Sequence, residues 1–114
     1  MKTYVFDIDG TICRKNKDQD YEQSIPIASR ILVINELYDK GNIVIFHTAR
    51  GMGRYNNNIE KAKNDFYDLT VKQLKDWGVK YHKLFLGKPA GDLYVDDKGQ
   101  SDIEYFESIT KNKT

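Results

Sequence analysis

The sequence has a single cysteine, Cys13, so no intrachain disulfide can form and no Cys-rich zinc site can be assembled. It also lacks any apolar run approaching the roughly 20 residues that a membrane-spanning helix requires. There is no excess of charge of one sign: 18 Lys and Arg stand against 17 Asp and Glu, a net charge of +1. No basic footprint marks a nucleic-acid surface. Met1-Lys2-Thr3 leads straight into an apolar segment, without a signal-peptide pattern. At 114 residues the chain has material for one hydrophobic core and too little for two, so a single domain over residues 1–114 is expected. Together these absences predict a soluble, cytoplasmic protein whose partners include neither nucleic acid nor membrane.

What is present begins with Asp7-Ile8-Asp9-Gly10-Thr11, directly after the apolar run Tyr4-Val5-Phe6. Residues two apart share a face of a strand, so Asp7 and Asp9 are expected to project together from its carboxyl end. Two carboxylates confined side by side repel, and a divalent cation relieves the conflict. Hard oxygen ligands suit magnesium, which usually keeps several waters and a substrate phosphate as well. Gly10 permits a tight turn and Thr11 adds a hydroxyl, a combination suited to phosphoryl chemistry.

The remaining pattern alternates strands and helices. Arg14 to Gln23 is charged and without an apolar period, which reads as a solvated loop beside the site. Ser24 is expected to cap a helix through Ile27, Ile31, Ile34 and Tyr38, with Pro26 in its first turn and Gly41 at its end. Asn42 to His47 reads as a second strand, followed by Thr48-Ala49-Arg50. Ile59, Ala62, Phe66, Leu69, Gln73 and Trp77 describe a long amphipathic helix closed by Gly78. Lys83 to Leu86 is expected as a third strand and Leu93-Tyr94-Val95 as a fourth. Ser101 or Asp102 opens a last helix, and Thr110 to Thr114 forms a polar tail. Strands apolar on both faces predict an α/β fold: a three-layer, Rossmann-like open parallel sheet flanked by helices. Asp7 and Asp9, Thr48, Gly87-Lys88 and Asp96-Asp97 each follow a predicted strand. In such sheets the ligand crevice lies outside the carboxyl ends of the strands.

With Asp7-Ile8-Asp9-Gly10-Thr11, then Thr48, then Lys88, then Asp96-Asp97 in this order, the sequence resembles the haloacid dehalogenase (HAD) superfamily of phosphotransferases. More narrowly, Phe46 to Met52 and Gly87-Lys88-Pro89 through Asp97 are similar to small HAD phosphatases of capsule and surface-polysaccharide biosynthesis. The resemblance implies that Asp7 attacks phosphorus to form an aspartyl-phosphate, and that Asp9 serves as general acid and then general base. It implies Mg2+ held by Asp7, the Asp9 carbonyl and the acidic pair, Asp96 foremost, with Asp97 as a second ligand or as an orienter of Lys88. Thr48 and backbone amides would hold phosphate oxygens, and Lys88 would neutralise the nucleophile and the transferring group. Gly10, Thr11, Ala49, Arg50 and Arg54 are the candidate substrate contacts, the two arginines through fork-shaped donors. Family members often carry a cap domain, but neither Thr11 to Asn42 nor Ala49 to Lys83 has room for one. A flap, or a second copy of the chain, is then needed to cover the open site.

The implied function is Mg2+-dependent hydrolysis of a small phosphorylated metabolite, such as a sugar or polyol phosphate. The alternatives are a nucleic-acid 3′-phosphatase or nucleotidase of the same superfamily, and a phospho-receiver signalling domain. In a receiver the acidic pair follows the first strand and the phosphorylated Asp ends a middle strand, whereas here the middle strand ends in Thr48. Taken singly, each motif has a plainer reading as a turn, a cap or a surface lysine. Cys13 reads as a small semi-buried side chain, and His47 and His82 as packing residues. Gly51-Met52-Gly53 lacks the third glycine of a dinucleotide fingerprint, since Asn56 stands there.

Overall fold

Consecutive parallel strands linked by right-handed crossovers, added each time on the same side, place their helices on one face of the sheet. The computed structural model describes residues 1–14 and 20–112. In order they form β1 (Thr3–Phe6), a 3-10 turn (Tyr21–Gln23), α1 (Ala28–Asp39), β2 (Ile43–Thr48), α2 (Ile59–Asp76), β3 (Lys83–Leu86) and α3 (Asp102–Asn112). In this chain α1, α2 and α3 all contribute to one core cluster with Phe6, Val44 and Phe46 of the sheet. The strands are parallel, with β2 in the middle; Phe6 lies beside Phe46 and Phe46 beside Leu84. The fold is an α/β open parallel sheet flanked by helices, with no cap domain among the described residues.

Alternation along the strands sorts the apolar side chains between the two faces. Phe6, Val44 and Phe46 are buried in one core cluster with Ile31 and Ile34 of α1, Leu74 of α2 and Phe106 of α3. Val5 and Phe85 point the other way and are 62% and 48% exposed. Asn58 opens α2, its side-chain carbonyl accepting from the Lys61 amide at 3.2 Å, and Gly78 follows the C-cap at φ +71°. The Ser101 hydroxyl accepts from the Glu104 amide at 3.2 Å at the start of α3. His82 packs as expected, its ring on Tyr38 and its Nδ1 accepting from the Val44 amide at 3.1 Å. No helix among the described residues is long and apolar enough to cross a membrane.

Three expectations need correction. Ser24 does not cap α1, which begins after Ile27 with no side-chain cap. Pro26 forms a bridge with Cys13, and the Ile27 amide donates to the Ile12 carbonyl at 2.8 Å, so the segment before α1 is extended. Proline disfavours helix in the residue before it, which moves the helix start beyond Ile25. Leu93-Tyr94-Val95 is not a strand. The Tyr94 hydroxyl donates to the Pro89 carbonyl at 2.5 Å and accepts from the Gly91 amide at 3.1 Å, folding the segment back on itself. Leu93 and Val95 are consequently 79% and 84% exposed. Finally, α3 runs through Thr110 to Asn112, where a polar tail was expected. Of the expected solvated loop, residues 15–19 lie outside the described residues, as do 113 and 114 of the tail.

Gly51 joins β2 to α2 at φ +77°, and a Cβ there would lie 2.6 Å from the Phe66 ring. Both the left-handed backbone and the contact exclude a side chain. Gly51→Ala should destabilise the fold by about 2–4 kcal/mol, read from urea or thermal unfolding.

Candidate active site

The site grows from the carboxyl ends of the three strands. Asp7 directly follows β1. Its Oδ1 accepts from the Ile8 amide at 2.8 Å, and its Oδ2 lies 3.5 Å from the Lys88 ammonium. Burial raises the Asp7 carboxyl above its ordinary value, against the opposing pull of Lys88. Lys88 is brought there by β3, whose pairing with β2 extends past Leu86: the Lys88 amide donates to the Thr48 carbonyl at 3.1 Å. Thr48 ends β2, is 1% exposed, and its Oγ1 accepts from the Arg50 amide at 3.2 Å. The Lys88 ammonium also lies over the Tyr94 ring, 4.3 Å from its centroid. His47, on the same strand, has its pKa lowered by burial and by Lys88, with Asp7 opposing.

Asp9 sits differently. Arg50 grips its carboxylate side-on, Nε donating to Oδ2 at 2.9 Å and Nη2 to Oδ1 at 3.0 Å. The guanidinium is held from behind by α2, Nη1 donating to Thr70 Oγ1 at 3.1 Å and to Gln73 Oε1 at 2.5 Å. It also lies over the Tyr21 ring, 4.9 Å from the centroid, while Gln73 donates to the Tyr21 carbonyl at 2.5 Å. The Cys13 thiol donates to Asp9 Oδ1 at 3.4 Å. It is pushed up to about 12, first by burial and next by the Asp9 charge, so it stays protonated and unreactive.

Several predicted site residues are placed otherwise than expected. Arg50 is 1% exposed and turned inward, so it is not a substrate contact. A charge that deep must be paired, and Asp9, Thr70 and Gln73 supply the acceptors. The amides of Gly10 and Thr11 are spent on the turn after β1, donating to the Cys13 and Ile8 carbonyls at 2.8 and 3.0 Å. The Thr11 carbonyl accepts from Arg30, which also pairs with Asp102 at 2.7 Å. Ala49 is half-buried beside Thr48. Arg54 is exposed and lies over the Phe66 ring at 5.1 Å.

Asp96 and Asp97 are exposed and do not join Asp7 and Asp9. Asp96 Oδ1 accepts from the Lys98 and Gly99 amides at 2.5 and 2.6 Å, closing a local turn. With Leu93-Tyr94-Val95 outside the sheet, the pair does not follow a strand end. Among the described residues no cluster of three or more His, Cys, Asp or Glu could hold a metal ion. As placed, Asp7, Asp9 and the Asp96-Asp97 pair do not form one set of side-chain ligands. Sequence reasoning missed Thr70, Tyr21 and Tyr94 as neighbours of the site, and took Gln73 as part of an amphipathic stripe. The one available signal was a polar residue on the buried stripe of α2.

No family model and no curated protein matches the chain. Solved structures do. A crystallised target protein from Vibrio cholerae superposes with a TM-score of 0.83 at 24% identity, covering 100% of both chains. D,D-heptose 1,7-bisphosphate phosphatase from B. bronchiseptica, crystallised with magnesium and phosphate, superposes with a TM-score of 0.53 at 16% identity. That alignment covers 99% of this chain and 64% of the phosphatase. The likeness is one of fold. It is that of a Rossmann-like α/β core, with no cap domain among the described residues.

The two carboxylates should respond oppositely to neutralisation. Folding favours protonated Asp7, so at pH 7 its ionised form costs stability. Asp7→Asn should therefore raise the urea midpoint at pH 7, with the gain shrinking as pH falls through the raised folded pKa toward the ordinary 3.8. Asp9→Asn presents an amide N–H2 to the Arg50 fork and leaves a buried cation half-paired. It should lower stability by about 3 kcal/mol in the same unfolding measurement.

Proposed function

We propose that the chain is a magnesium-dependent phosphomonoester hydrolase that works through an aspartyl-phosphate on Asp7. The observation that carries this reading is the Asp7 carboxylate at the end of β1 with the Lys88 ammonium 3.5 Å away. An anionic nucleophile must approach an anionic phosphate ester, and a lysine beside both removes much of the repulsion. Thr48, at the end of the neighbouring strand, would supply a hydroxyl for a phosphate oxygen, which requires its side chain, 1% exposed here, to open toward the substrate.

In the proposed reaction an Asp7 oxygen attacks phosphorus while the bond to the ester oxygen breaks. Asp9 gives its proton to the departing alkoxide. A water then attacks the aspartyl-phosphate, Asp9 takes up the water's proton, and inorganic phosphate leaves with Asp7 restored. Asp9 has the access this needs, its side chain being 21% exposed despite the Arg50 pairing. The magnesium requirement comes from the sequence resemblance, and no step above runs through the metal. Binding it beside Asp7 requires Asp96 to leave the turn that it caps.

A small phosphorylated metabolite is the substrate class we favour, with a sugar or polyol phosphate of surface-polysaccharide synthesis as the specific proposal. The sugar-bisphosphate substrate in the name of the B. bronchiseptica protein supports the class. Near-neutral net charge disfavours polymeric nucleic acid. The reading is tested by phosphate release over a panel of phosphorylated sugars, polyols, nucleotides and acids, with magnesium. Asp7→Asn should remove turnover while the protein stays folded, and retained turnover would refute the nucleophile assignment. Chelation of magnesium should silence the parent.

A further inference from the structure

Arg50 lies beside the site, yet it faces neither Lys88 nor solvent. Its guanidinium uses three nitrogens on side chains, two on Asp9 and one shared by Thr70 and Gln73. A buried arginine pair is weak evidence for stability alone, since well-packed apolar residues serve as well. What this pair does provide is geometry. The fork fixes the plane of the Asp9 carboxylate, and α2 fixes the plane of the fork.

The acceptor count then distinguishes the two Asp9 oxygens. Each carboxylate oxygen has two lone-pair sites. Among the described residues, Oδ1 receives Arg50 Nη2 and lies 3.4 Å from Cys13 Sγ, whose single proton is shared between it and the Ile8 carbonyl at 3.6 Å, whereas Oδ2 receives Arg50 Nε alone. We infer that Arg50, backed by Thr70 and Gln73, is the positioning residue for the acid–base step, and that the proton moves at Asp9 Oδ2. The inference rests on the phosphatase reading above. It assigns to α2 the task of aiming a group that follows β1, through a partner 41 residues away in the chain.

The test separates aim from mere folding by varying the basicity of the leaving group. Phenolate from phenyl phosphate needs protonation more than nitrophenolate from 4-nitrophenyl phosphate does. Because kcat/KM reports only up to departure of that group, it isolates the acid step. Arg50→Lys keeps the charge and loses the fork, and Gln73→Met removes one support at similar length. Relative to the parent, kcat/KM should fall about 10-fold further on phenyl phosphate than on 4-nitrophenyl phosphate for Arg50→Lys. Gln73→Met, whose substitution leaves Arg50 in place, should shift in the same direction by a smaller factor and decides the matter if Arg50→Lys does not fold. Adding Arg50→Lys to Asp9→Asn should produce no further leaving-group discrimination. Equal losses on both esters, in variants whose urea midpoints fall, would reduce Arg50 to a structural role and overturn the inference. A parent that releases phosphate from neither ester would overturn the phosphatase reading, and this inference with it.

Discussion

The ion pair between Arg50 and Asp9 is the constraint on which the site end of the molecule depends. A guanidinium removed from water must find acceptors in fixed directions, because its donors form a rigid planar fork. Those acceptors come from the turn after β1 and from the middle of α2, and its face is covered by Tyr21 before α1. One side chain therefore ties three separate stretches of chain to the end of β2. Gly51 must be a glycine for the same reason, since the chain turns back directly after Arg50 with the Phe66 ring in its way.

The two aspartates of a single pentad end in different surroundings. Asp9 is gripped by a buried cation at two points and by a thiol at a third. Asp7 has one backbone amide and a more distant ammonium, and burial dominates its ionisation. Pairs of carboxylates divide labour when their environments differ in this way. Here the difference comes from packing, since strand alternation alone treats positions 7 and 9 alike.

Much of the architecture was legible because it depends on short-range patterns. The β-strands at Thr3–Phe6, Ile43–Thr48 and Lys83–Leu86 follow from apolar runs bounded by turn residues, and α2 from its stripe and the closing Gly78. The start of α1 was misread because Pro26 satisfies a helix's first turn and an extended bridge equally well by sequence. Leu93-Tyr94-Val95 has the composition of a strand. Yet Pro89 and Gly91 precede it, and the Tyr94 hydroxyl finds partners on both within a few residues. A local hydrogen-bonded loop thus competes with a ladder partner that must be brought from β1, and in this structure the loop prevails.

By itself the sequence determined the strands, the helices between them, and the placing of Asp7, Thr48 and Lys88 at the carboxyl ends of neighbouring strands. Those features follow from alternation and periodicity, which act over a few residues. Only the tertiary structure decided that Arg50 turns inward to Asp9 and that Asp96 remains on its own exposed turn. An arginine after a strand can reach out to a ligand or into the core with equal local ease. The outcome depended on whether α2 presented Thr70 and Gln73 at the depth where a buried guanidinium needs them.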